Sequence, residues 1–193
     1  MRQAFGIAAI GFSIAVLGLL AALHVLSPEF DPSWRVVSEY ANGHYGWVLT
    51  MMFTFWALSS WALVYAVWPY AATRFGRLGL WVLLLAGCGQ ALAAAFDVNQ
   101  PLHGLADLLG AFGLPVAAML VSVSLLHGQP SLRAGKTLLR FANLTWLTTV
   151  ATIAGVVLLF FTYVHAGGHL PSDGKPLLVG TVLPAGVVAI VGY

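Results

Sequence analysis

Six long apolar stretches, separated by short polar segments, dominate the hydrophobic pattern of this chain of 193 residues. They cover residues 3–26, 46–69, 78–96, 102–127, 138–164 and 177–193. A helix rises about 1.5 Å per residue and needs roughly 20 apolar residues to cross the hydrocarbon core of a bilayer. Most of the stretches reach that length. The pattern therefore predicts an all-α fold, a polytopic transmembrane helical bundle of about six spans.

The two terminal stretches decide the exact number of spans. The apolar run at 4–23 is longer than the core of a secretory signal, and no A-x-A cleavage motif follows it, so we expect a retained anchor. The sixth stretch is short and is broken by Pro184. It is a complete span, a partial span or the stump of a trimmed chain. No linker or low-complexity segment interrupts the pattern, and we expect one transmembrane domain over residues 1–193.

Composition agrees with a lipid environment. Hydrophobic residues make up 60% of the chain and charged residues 7%, whereas soluble domains carry roughly 25% charged residues because their surface faces water. The chain also has a single cysteine, Cys88, so neither an internal disulfide nor a cysteine-based zinc cluster can form. The net charge of +2 comes without a basic groove or a nucleic-acid motif, and a nucleic-acid partner is excluded.

The charged residues divide between alternate loops and so predict an orientation. Six basic residues lie at the N-terminus or in the loops after spans two and four: Arg2, Arg74, Arg77, Arg133, Lys136 and Arg140. All six acidic residues lie in or beside the loops after spans one, three and five: Glu29, Asp31, Glu39, Asp97, Asp107 and Asp173. Cytoplasmic loops carry the excess of Lys and Arg. We therefore expect both termini in the cytoplasm and the carboxylates on the outer face.

The loop after span one carries the sharpest sequence pattern. It combines a Ser27-Pro28-x-Phe30-Asp31-Pro32 turn with Val37-Ser38-Glu39-x-Ala41-x-Gly43, and Asp97 and His103 follow near the start of span four. This arrangement resembles a bacterial family of multi-pass membrane proteins catalogued as domain of unknown function 998. The resemblance implies a membrane location, which we expect to be the plasma membrane, and about six helices. It brings no established activity with it.

Polar residues of the outer face are the candidates for binding. Arg35 lies four residues from Asp31 and four from Glu39, which is the spacing of ion pairs along a helix. These residues either lock the loop by local pairing or form a lid or wall of a headgroup site. Asp107, one turn inside span four, needs a partner because ionisable groups are costly at membrane depth. The candidate outer-face binding residues are Asp31, Arg35, Ser38, Glu39 and Asp107.

The histidines suggest a second kind of site. His103 and Asp107 share one helical face at i,i+4 spacing, and His165 and His169 have the same spacing. Imidazole and carboxylate are the usual non-thiolate ligands of zinc, and zinc-bound water attacks esters and amides. The predicted metal ligands are His103, His165 and His169, with Ser38 and Asp97 as candidate catalytic residues. The set is similar, more distantly, to that of alkaline ceramidase-like membrane hydrolases, although Gly167-Gly168 departs from their helical histidine pair.

The sequence is compatible with three functions. The first is a binding or accessory role at the outer face, with a membrane lipid, a protein partner or a second copy of the chain as the ligand. The second is an extracytoplasmic metal-dependent hydrolase that acts on a lipid and uses zinc. The third is a small-molecule transporter, which the scarcity of ionisable residues in mid-membrane disfavours.

Overall fold

The computed structural model describes residues 1–30 and 37–128, together with twelve single positions between 137 and 164. This part of the chain is helical and contains no strand. Four long helices follow in order: α1 (Arg2–Leu26), α2 (Gly46–Val67), α3 (Arg74–Ala95) and α4 (Pro101–Gly128). A short 3-10 helix, Val37–Asn42, precedes α2, and another, Trp68–Tyr70, follows it.

Local chemistry explains where the helices begin. The hydroxyl of Thr73 accepts a hydrogen bond from the backbone N–H of Gly76 at 3.0 Å, so α3 starts at Arg74, four residues before the predicted range of 78–96. Pro101 occupies the first position of α4, where its missing N–H has no cost. Pro115 lies inside α4, which continues through it. Sequence patterning thus located each of these four helices to within a few residues.

All four helices are long and apolar enough to cross a membrane. The described chain is therefore that of an all-helical, multi-pass membrane protein, as predicted. Of the expected fifth span, 138–164, only single helical positions are described. The expected sixth span, 177–193, lies outside the described residues.

The helices pack as successive antiparallel neighbours. The ring of Phe5, at the start of α1, lies 4.4 Å from that of Tyr65 near the end of α2. Trp68, just after α2, contacts Trp81 in α3 at a centroid distance of 5.8 Å. The hydroxyl of Thr73, which caps α3, lies 2.6 Å from that of Ser124 late in α4. This alternation brings the end of α1, the start of α2, the end of α3 and the start of α4 to one end of the bundle.

Small residues let α3 and α4 approach closely. A Cβ atom added at Gly89 would lie 2.8 Å from the carbonyl oxygen of Ala106 and 3.0 Å from the backbone nitrogen of Gly110. Both atoms belong to the backbone of α4, so no rotamer change would relieve the contact. Close backbone approach supplies packing energy in lipid, where no hydrophobic force drives helices together.

Buried polar side chains join α2 to α3. Gln90 and Ser60 are both buried and are hydrogen-bonded at 2.9 Å. In the amide orientation that satisfies every partner, Gln90 also donates to the carbonyl of Trp56 at 3.1 Å and accepts from its indole N–H at 2.9 Å. A buried amide without partners would be costly, and here each of its groups is paired.

The close approach at Gly89 yields a stability prediction. We expect Gly89→Ala to lower the free energy of unfolding by about 1–3 kcal/mol, because the added methyl group forces two backbones apart. Gly18→Ala is the matched control, since a Cβ at Gly18 meets nothing within 4 Å. That variant should match the parent chain or gain up to about 1 kcal/mol. Thermal unfolding in an uncharged detergent measures both, and an unchanged midpoint for Gly89→Ala would contradict this packing.

Candidate functional site

The carboxylates of the described chain all lie at one end of the bundle. Glu29 follows α1, Glu39 lies in the 3-10 helix Val37–Asn42, Asp97 follows α3, and Asp107 lies near the start of α4. We call this the acidic end. Arg2, Arg74 and Arg77 lie at the opposite end, at the starts of α1 and α3.

A cavity of about 470 Å³ opens at the acidic end. Its walls come from four segments: the end of the 3-10 helix, the start of α2, the end of α3 and the start of α4. The apolar part of the lining includes Leu49, Ala93 and Ala94. The polar part consists of His44, Thr50, Asp97, Gln100 and His103. The volume is that of a small-molecule site, and the lining suits a ligand with one polar and one apolar part.

His103 is the one buried polar side chain in this lining, with 3% of its surface exposed. Its Nδ1 atom lies 2.7 Å from the carbonyl oxygen of Phe96, at the end of α3. A carbonyl can only accept, so Nδ1 carries a hydrogen and donates. The Nε2 atom is buried and makes no hydrogen bond among the described residues. It lies 3.5 Å from Oδ2 of Asp107, within ion-pair distance but without hydrogen-bond geometry.

Asp97 lines the cavity and also fixes the turn beside it. One of its carboxylate oxygens accepts from the backbone N–H of Asn99 at 2.9 Å, which fixes the turn between α3 and α4. The side-chain amide of Asn99 then donates to that of Asn42 at 2.8 Å. This bond joins the α3–α4 turn to the 3-10 helix, and each of these segments contributes residues to the cavity lining.

A second polar group fixes the 3-10 helix against α1. Tyr40 is fully buried, and its hydroxyl donates to the carbonyl oxygen of Phe30 at 3.0 Å. Because that hydrogen is committed, Nδ1 of His24 must donate to the same hydroxyl, at 2.6 Å. Gly46 completes the junction, since a Cβ there would lie 2.6 Å from the carbonyl oxygen of Ala41. The 3-10 helix, next to the cavity-lining residues at the start of α2, is therefore held in place against α1.

The structure brings together only some of the residues predicted from sequence. Asp97 and His103 both line the cavity, and Asp107 lies beside His103. Ser38 and Glu39 lie at the acidic end, in the 3-10 helix, and are not part of the cavity lining. Four predicted site residues lie outside the described residues: Asp31, Arg35, His165 and His169.

The described residues do not assemble a metal centre. Within them, no group of three or more His, Cys, Asp or Glu side chains is placed to hold a metal ion. Two of the three predicted zinc ligands, His165 and His169, are outside this part of the chain. The zinc site therefore stays a prediction.

Sequence reasoning missed several residues of the cavity. The lining includes Thr50, Gln100 and Trp47, and none of these residues belongs to a recognisable sequence motif. His44, in the turn before α2, is exposed and also lines the cavity. The available signal for this site was the segment that forms the 3-10 helix, because the sequence pattern is sharpest there. Its last residue, Asn42, is hydrogen-bonded to the α3–α4 turn.

The described part of the chain is thus that of a helical membrane protein with a polar cavity between the ends of its helices. Residues 7–193 match the model of the family described as Protein of unknown function (DUF998). The chain belongs to that family, as its loop pattern predicted. Searches of curated proteins and of solved structures return no match. The ceramidase-like analogy therefore gains no support from them.

The hydrogen bonds of Tyr40 yield a second stability prediction. Tyr40→Phe removes one hydroxyl and leaves the Phe30 carbonyl and the His24 Nδ1–H without that partner. We expect the free energy of unfolding to fall by about 1–3 kcal/mol, the cost of leaving buried polar groups unpaired. Tyr70→Phe is the control, since Tyr70 is 59% exposed and should change stability by less than about 0.5 kcal/mol. Equal thermal midpoints for the two variants would argue against the buried network.

Proposed function

We propose that this protein binds a membrane lipid, or a lipid-like amphiphile, in the cavity at the acidic end. The cavity itself carries the proposal, because it combines apolar walls from Leu49, Ala93 and Ala94 with polar groups from Asp97, Gln100 and His103. Trp47, which is exposed and lines the cavity, is the type of residue that settles at headgroup level. An amphiphile would place its headgroup against the polar groups and its first methylenes against the alanines.

We further propose a plasma-membrane protein of six spans with both termini in the cytoplasm. The support is the division of charge between the two ends, with Arg2, Arg74 and Arg77 at one and the carboxylates at the other. Basic residues are retained on the cytoplasmic side during insertion. The cavity would then open toward the outer leaflet, and its ligand would come from that leaflet or from outside the cell.

A hydrolase remains the second candidate because of the geometry of His103. Its Nδ1 atom is held by a backbone carbonyl while Nε2 is left unpaired, which is how ligating imidazoles are oriented. The other proposed ligands, His165 and His169, are not among the described residues. Lipid binding needs no further residue, so it is the function that we favour.

Filling the cavity tests lipid binding. Ala95 lines the cavity at the end of α3 and is exposed, so Ala95→Trp should occupy the site without disturbing the core. Ala21→Trp adds the same side chain to an exposed position of α1 that does not line the cavity. We expect short-chain lipids to bind Ala95→Trp at least about tenfold more weakly, a loss of about 1.4 kcal/mol, and Ala21→Trp like the parent. Native mass spectrometry of the whole chain in detergent measures the occupancy, and equal binding by both variants would refute the proposal.

Reporter fusions test the orientation. Alkaline phosphatase is active only outside the cytoplasm. Green fluorescent protein fluoresces only in the cytoplasm, because it does not mature when it is exported in an unfolded state. We expect a fusion at residue 72, between α2 and α3, to fluoresce, and a fusion at residue 98, between α3 and α4, to show phosphatase activity. The positive-inside rule gives the reason. Two fusions that report the same compartment would overturn the proposed topology.

A further inference from the structure

The hydrogen bonding of His103 limits which ligand groups the cavity can accept. Because Nδ1 donates to the carbonyl of Phe96, a neutral imidazole presents Nε2 as a hydrogen-bond acceptor. That atom is buried, belongs to a cavity-lining side chain and has no hydrogen-bond partner among the described residues. A buried acceptor without a partner is costly, and the ligand that satisfies it must bring a donor.

The charges around His103 act in the same direction. Asp97 lines the cavity, and the carboxylate of Asp107 lies 3.5 Å from Nε2 of His103. No Lys or Arg appears among the residues that line the cavity in the described chain. The local charge is therefore negative, which repels phosphate and carboxylate groups and attracts cations.

We propose that the cavity selects a protonated primary amine. This inference rests on the proposed lipid-binding function and names the headgroup chemistry of that site. A primary ammonium carries a positive charge and three N–H donors. It can donate to Nε2 of His103 and to a carboxylate at the same time, and a charge-assisted hydrogen bond is stronger than a neutral one. A hydroxyl supplies the donor without the charge, and a quaternary ammonium supplies the charge without the donor.

A series of methylated headgroups separates donor from charge. The probes are dioctanoyl phosphatidylethanolamine and its N-monomethyl, N,N-dimethyl and N,N,N-trimethyl derivatives, which have one positive charge each and differ in the number of N–H groups. Each probe is titrated into the whole chain in an uncharged detergent. We expect affinity to fall along the series and to be about tenfold lower or more for the trimethyl lipid, which has no N–H group left to donate.

Two variants test whether the preference for a primary amine arises in the cavity. Asp97→Asn keeps the shape of the side chain and removes its charge, and it should weaken phosphatidylethanolamine binding about tenfold. Glu29→Gln removes a carboxylate from the same end that does not line the cavity, and it should bind like the parent. An equal loss in both variants would attribute the preference to the general field of the acidic end, and would overturn the assignment to this cavity.

The source of the amine and the state of His103 are measured in the same preparation. Binding of free ethanolamine with the affinity of the lipid would identify a soluble amine as the ligand; no binding of ethanolamine would identify the lipid. The ¹⁵N signal of Nε2 should shift with phosphatidylethanolamine and stay unchanged with the trimethyl lipid. Stoichiometric zinc on His103, or equal affinity across the methyl series, would overturn the amine assignment. Equal affinity would leave lipid binding intact, whereas absence of binding by every probe would refute the proposed function itself.

Discussion

The backbone of a chain in hydrocarbon has to satisfy its own hydrogen bonds, because lipid tails offer no partner for an amide or a carbonyl. This constraint makes the described spans helical, and it also limits how they can pack. Apolar side chains gain nothing by leaving lipid for other apolar side chains, so association depends on close contact and on polar pairs. Gly89 supplies the first by bringing α3 against the backbone of α4. Gln90 and Ser60 supply the second between α2 and α3.

The same constraint separates structural polar groups from functional ones. Deeper among the described helices, buried polar groups are paired with one another: the hydroxyl of Ser59 donates to the carbonyl of Ala9 at 2.9 Å, and the amide of Gln90 is fully paired. The described buried side-chain atoms without a hydrogen-bond partner are Nε2 of His24, the hydroxyl of Ser27 and Nε2 of His103. All three lie at the acidic end, near the cavity or the segment that supports it. Unsatisfied groups persist in native structures where a ligand or water completes them, and their confinement to one end is the physical reason to look for a ligand there.

Sequence patterning predicted the helices well because period and length are local properties. The proximity of His103 to Asp107 was also predictable, since i,i+4 spacing alone brings two side chains of a helix together. The cavity was not, because its lining comes from four segments that only tertiary packing brings together. The same holds for His24 and Tyr40, which are 16 positions apart and meet only when the 3-10 helix folds back onto α1. Spacing also said nothing of the bond between His103 and the Phe96 carbonyl, which fixes the hydrogen on Nδ1.

Charge segregation and ligand choice follow from one arrangement of residues. If the end with Arg2, Arg74 and Arg77 faces the cytoplasm, as we propose, these basic residues are held inside, and the described carboxylates lie at the other end, where Asp97 lines the cavity and Asp107 lies beside His103. The site is negative because it has these two carboxylates and because no Lys or Arg lines the cavity in the described chain. Such a site disfavours the phosphate of a lipid headgroup and favours a group beyond it that is positive and donates hydrogen bonds. His103 then adds what charge alone does not supply, an acceptor of fixed direction, because its Nδ1–H is bound to the backbone and its ring is buried. Discrimination between cations of equal charge would therefore depend on His103 and on the single carbonyl that orients it.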